Sequence, residues 1–143
     1  MLVASALLTL IFLLLSGIHG YWALGGRWGS GAVFPELPHN QSDFKPGPLP
    51  TLVVAAGLLL FGGVVAGRGG WLSFFSPQWA AWFGYGTWAI AGIFLLRAVG
   101  EFRYVGFFKS VRHTRFAYWD SRLYSPLCLV IAILAGYLAA FPA

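Results

Sequence analysis

Four stretches of the chain, residues 2–26, 47–67, 71–96 and 123–143, contain no Asp, Glu, Lys or Arg. Each reaches the roughly 20 mostly apolar residues that a helix needs to cross a bilayer. Composition agrees with that reading. Charged residues are 9% and hydrophobic residues 59% of the 143 residues, where a soluble domain carries about 25% charge. So few charges cannot cover a soluble surface with this much apolar area. This argues against a soluble enzyme, a disordered tail and a nucleic-acid binder. The apolar runs are continuous rather than alternating, which disfavours membrane strands.

The expected fold is therefore all-α: a polytopic membrane protein, one domain over residues 1–143, built as a four-transmembrane-helix bundle. The spans are expected near 2–24, 49–67, 75–97 and 124–142. The first is read as a retained helix, because it lacks a positive leading region and a convincing small-residue cleavage site. Ser125-Pro126 reads as the start of the last helix, Ser as N-cap and Pro at the first helical position. Arg68-Gly69-Gly70 reads as a tight turn between the second and third helices.

The connections divide the charge unequally. The first, 27–46, is polar and rich in Pro and Gly. The third, 97–122, is basic and holds Arg97, Arg103, Lys109, Arg112, Arg115 and Arg122, with Glu101 and Asp120. Threading four spans puts both connections at one end of the bundle. Every charge except Arg68 then lies at that end. The positive-inside rule makes it cytoplasmic and places both termini outside, in what is expected to be a bacterial cytoplasmic membrane.

Small residues let membrane helices approach closely. Gly63 and Gly67, the run Gly84, Gly86, Ala89 and Gly92, and Ala132, Gly136 and Ala140 supply them. They would serve packing within the chain or a homo-oligomeric contact. The tryptophans mostly fall near helix ends, as an interfacial belt requires.

Ionisable groups at membrane depth are costly and are functional candidates by default. His19 lies near the end of the first helix with Trp22 one turn on, and Gly25-Gly26 lets that helix stop. Arg97 and Glu101, four apart, would pair on one helical face, with Arg103 and Tyr104 following. Further on, Lys109, Arg112, His113 and Phe116 form one helical stripe, and Tyr104, Phe108, Val111, Arg115 and Tyr118 another. Such a segment would lie on the membrane surface and attract anionic headgroups. Asp120 beside the last helix reads first as a helix cap. The candidate ligand-binding set is His19, Trp22, Arg97, Glu101, Arg103, Tyr104 and Asp120.

Other chemistries find little support. Cys128 is alone, so an internal disulfide or dithiol centre is out. His19, His39 and His113 are scattered, and HExxH and CxxC motifs are absent, so no metal and no cofactor are expected. No span centre carries an acid, which disfavours proton-coupled export.

The segments HGYWALGGRWG and GEFRYVGFFKSVRHTRFAYWDSRLYSPLCL resemble an uncharacterised bacterial family of small four-helix membrane proteins, a domain of unknown function (the "3995" family). His-x-x-Trp-x-x-Gly-Gly, Gly-Glu-Phe-Arg and Tyr-Ser-Pro-Leu carry the likeness. It implies a four-span membrane protein and no activity.

Three functions compete on these residues. The first is binding of a lipid headgroup or small anionic or amphipathic ligand in a one-sided polar pocket, with Arg97 or Arg103 as clamp and Trp22 as wall. The second is a membrane-embedded enzyme on a lipid or isoprenoid-like substrate, with His19 and Glu101 as acid and base. The third is a non-catalytic assembly subunit.

Overall fold

A computed structural model of the chain describes residues 1–34, 46–72, 74 and 76–141. Glu36, His39, Asp43 and Lys45 of the first connection lie outside the described residues. The regular elements among the described residues are all helical, with no strand. The elements are α1 (Leu2–Ala23), a single 3-10 turn (Ser30–Ala32), α2 (Pro48–Arg68), α3 (Trp79–Val99), α4 (Arg115–Trp119), a π turn (Asp120–Tyr124) and α5 (Ser125–Ala140). The last three form one continuous rod, so four long helices result. Each is long and apolar enough to cross a membrane, with mean hydropathy 2.2, 2.2, 1.3 and 2.0 in chain order. The protein is an integral membrane protein by this measure.

Neighbouring helices run antiparallel. The Ser5 hydroxyl donates to the Val65 carbonyl at 2.8 Å and the Ser16 hydroxyl to the Ala55 carbonyl at 2.7 Å, which aligns α1 along α2 in opposite directions. The α3 helix lies along α5, and α2 joins α3. Phe12, Phe61 and Phe94 meet in a triangle, with ring centroids 5.5–6.3 Å apart, that locks α1, α2 and α3. Leu8, Val65, Ile90, Ile131 and Leu138 complete the centre.

Small residues serve this packing in a different register from the one expected. A Cβ on Gly67 would strike the Phe83 ring at 2.7 Å, and one on Gly86 would reach Val64 at 2.9 Å, so both permit α2 and α3 to close. Gly63 and Gly136 face open space. On α5 the inward residues are Ala132, Ala135 and Ala139, while Ala140 is exposed.

Glycines end two helices as the sequence suggests. After α1, Gly25 sits at φ 96. Gly25 N–H then bonds the Trp22 carbonyl and Gly26 N–H the Tyr21 carbonyl. After α2, Gly70 sits at φ 82, with the matching pair Gly70 to Gly67 and Trp71 to Ala66. Both are Schellman caps, in which the left-handed residue turns two backbone donors onto orphan carbonyls.

Three local expectations change. The connection after Arg68 is longer than a tight turn, because α3 starts at Trp79 rather than near residue 75. The last rod starts at Arg115, capped by the Thr114 hydroxyl accepting from Ala117 N–H at 3.0 Å, so Ser125 is no N-cap. Pro126 has no N–H and crowds the preceding turn. The π turn directly before it widens the backbone there. Residues 100–114 are not helical, so the two stripes drawn across them do not form.

Candidate functional site

The charged end is assembled by the turn from α3 into the rod. Gly100 (φ 83) and Gly106 (φ 90) adopt backbone that favours glycine. A Cβ on either would overlap the backbone beside the other, at the Val105 carbonyl or the Val99 carbonyl. This close approach brings Phe107 N–H onto the Ala98 carbonyl at 2.8 Å. The chain thus folds back over the end of α3 and carries Lys109 inward.

At the centre is Asp120, fully buried at the first residue of the π turn. One carboxylate oxygen accepts from the Arg97 guanidinium at 3.0 Å. The other accepts from the Lys109 ammonium at 2.9 Å and from Gly106 N–H at 2.8 Å. The Lys109 ammonium also donates to the Gly106 carbonyl at 2.9 Å and the Ser121 hydroxyl at 2.7 Å. Its three protons are satisfied, which is the condition for a buried ammonium to be tolerated. Lys109 is only 2% exposed.

The three charges sum to one net positive charge. Lys109 and Asp120 are enclosed, so the surplus is presented by Arg97, whose side chain is 34% exposed. Arg97 gives one N–H bond to the carboxylate, while its second terminal nitrogen is buried with no partner. The Ser125 hydroxyl, on the rod one turn past Asp120, is likewise buried and unpartnered.

The candidate residues fall into separate groups. Arg97 and Asp120 come together; the Arg97–Glu101 pair does not form. Because α3 ends at Val99, Glu101 is no longer one helical turn from Arg97. Glu101 is exposed and accepts from Tyr104 N–H. Arg103 lies over the Tyr104 ring at 5.1 Å. At the end of α1, the His19 ring packs on Trp22 with centroids 5.2 Å apart. Its Nδ1 donates to the Leu15 carbonyl of its own helix at 2.7 Å, and Trp22 donates to the Trp28 carbonyl at 2.8 Å. No hydrogen bond, ion pair or ring contact among the described residues joins His19 or Trp22 to Arg97, Glu101 or Asp120.

The described part of the first connection and the third connection lie at one end. The Tyr124 hydroxyl on the rod donates to the Ala32 carbonyl of the first connection at 3.1 Å. An apolar groove of about 320 Å³ lies at the opposite end, between Ala6, Thr9, Leu10, Leu13, Ala66 and Trp71, away from all these charges. No group of His, Cys, Asp and Glu among the described residues is arranged to hold a metal.

Lys109, Gly106 and Ser121 are the members that sequence reasoning left out. The usable signal was the glycine pair six residues apart, which marks a backbone crossing rather than a helix. A family model described as protein of unknown function (DUF3995) matches residues 12–135. No curated protein and no solved structure matches the chain.

Proposed function

The chain belongs to the DUF3995 family, and we propose that it binds a phosphate-bearing amphiphile, with a lipid headgroup as the ligand, at the charged end of its bundle. The observation that carries this is Arg97. Its side chain is 34% exposed in a cluster with surplus positive charge, and its second terminal nitrogen, itself buried, has no hydrogen-bond partner, so a headgroup entering the mouth would have to reach inward to meet it. With the other terminal nitrogen donating to Asp120, the two N–H groups of this one are the donors left for phosphate oxygens. The exposed Arg103, Arg112, Arg115 and Arg122 of the same end raise the local concentration of anions. This reading places the charged end on the cytoplasmic side of a bacterial inner membrane, since that side holds the excess of Lys and Arg.

Native mass spectrometry of the full chain, released from a mild detergent with its native lipids, tests the proposal. Anionic phospholipid should be enriched on the wild type. Hydrogen bonds to charged groups are worth about 1.5–3 kcal/mol, so Arg97→Gln should lower retention by about tenfold or more. Arg97→Lys keeps charge without the fork and should fall between. Displacement of bound lipid by inorganic phosphate would assign the site to the free anion instead. Equal retention by wild type and Arg97→Gln would overturn the proposal.

A further inference from the structure

The segment 100–114 has an inverted arrangement for a loop in water. Its lysine, Lys109, is 2% exposed, while Phe102 and Phe108 on the same segment are 61% and 63% exposed. The two rings are neighbours, with centroids 6.5 Å apart. The arrangement is built into the backbone. Phe102 is the one non-glycine residue at positive φ (67) among those described, a conformation that a bulky side chain adopts only when its surroundings impose it. Ser110 imposes it: its N–H and its hydroxyl both donate to the Phe102 carbonyl, at 3.1 and 2.7 Å. Val111 N–H bonds the Arg103 carbonyl at 2.9 Å, extending the clasp.

Cations flank the rings. Arg103 and Arg112 are exposed. Arg112 is held against the backbone on either side of Phe108, its guanidinium donating to the Lys109 carbonyl at 3.1 Å and the Phe107 carbonyl at 3.4 Å. Arg115 and Arg122 are exposed on the adjoining rod. Glu101 is the acid exposed on this segment, and its carboxylate already accepts from Tyr104 N–H. The segment also starts directly at the end of α3, a membrane-spanning helix closing at Val99, so the tether to the bilayer is three residues for Phe102.

We propose that the Phe102–Phe108 face of this segment is a docking surface for the anionic leaflet of the bilayer that the helices cross. The two rings sit at the level of the headgroups and upper acyl chains, and Arg103 and Arg112 contact lipid phosphates. Aromatic rings with adjacent cations suit that zone, where one side is apolar and the other anionic. The inference does not depend on ligand binding at Arg97. A segment that grips the leaflet would hold the mouth of the bundle at a fixed depth whether or not a lipid occupies it.

The test uses the full chain in nanodiscs. Phe108→Cys, and separately Phe102→Cys, carries an environment-sensitive fluorophore; wild type, whose Cys128 is buried, sets the labelling background. Phosphatidylcholine discs are compared with discs that also contain phosphatidylglycerol. The expected result is blue-shifted emission quenched by headgroup-labelled lipid and strengthened by phosphatidylglycerol. Each basic residue near such a surface contributes about 1 kcal/mol, so Arg103→Gln or Arg112→Gln should raise the phosphatidylglycerol fraction needed for half the effect about fivefold. Water-like emission without lipid quenching at both positions would overturn the proposal. So would emission shielded from water but unquenched by lipid, which would assign the face to a second copy of the chain.

Discussion

A lysine sealed beside a sealed aspartate is stable only while both stay paired, and this sets the order of effects at the charged end. Asp120 serves Arg97, Lys109 and Gly106 N–H at once. Asp120→Asn leaves Lys109 enclosed without its counter-charge. Breaking a buried pair from one side costs about 3–5 kcal/mol, so this variant should lose most of its thermal stability in detergent. Lys109→Met should cost less, because Asp120 keeps Arg97. Arg97→Gln should cost least, since its side chain is 34% exposed and water can replace part of the interaction. Thermal unfolding of the three variants checks the ranking, and Lys109→Met falling below Asp120→Asn would contradict it. The sequence offers Asp120 as a candidate, but it pairs Arg97 with Glu101, reads Asp120 first as a helix cap and reads Lys109 as one of six loop cations. Residue type carries the sign of a charge; which side of the chain it faces depends on where Gly100 and Gly106 let the backbone cross.

Among elements, helix ends differ in how openly they show in sequence. The α1 and α2 ends carry Gly25 and Gly70 at the left-handed position and were legible, because that position tolerates almost no other residue. The start of the rod was not. Ser125-Pro126 has the composition of a helix start, but both residues lie inside a continuous rod behind the π turn. Thr114 does the capping instead. Losing an N-cap hydroxyl costs about 1 kcal/mol, so Thr114→Val should lower stability by that amount. Ser125→Ala should be neutral or stabilising, because removing a buried hydroxyl without a partner relieves an unmet desolvation cost. Equilibrium unfolding of the pair distinguishes the two caps: a larger loss from Ser125→Ala would restore the original reading of that segment. The stripes drawn through 104–118 failed for a related reason. The Tyr104 to Tyr118 stripe runs a helical period through Gly106, where φ is 90, and the Lys109 to Phe116 stripe runs through residues 109–114, which are not helical.

At the scale of the whole molecule, one charged side chain stands apart from the others among the described residues, and it closes the far end of the bundle. Arg68, at the last turn of α2, donates to the Leu138 and Ala139 carbonyls of α5 at 3.2 and 2.8 Å. A cation there satisfies orphan carbonyls and favours the negative end of the helix dipole. The antiparallel threading that brings Arg68 to α5 also brings the first and third connections together through Tyr124 and Ala32. That one-sidedness was legible from charge positions alone, because threading even numbers of spans needs no side-chain detail. The proposed orientation, with the charged end in the cytoplasm, rests on a separate physical bias, the retention of Lys and Arg on that side. Arg68 is engaged with α5 carbonyls, so it offers little weight against the arginines at the other end. His113→Cys, exposed on the charged segment, and Trp71→Cys, 56% exposed at the far end, report the orientation with a membrane-impermeant thiol reagent. In intact cells the reagent should label Trp71→Cys and spare His113→Cys, and inverted vesicles should exchange the two. Labelling of His113→Cys in intact cells would reverse the topology. It would also make the basic connection an outward-facing anion site rather than a product of the positive-inside bias.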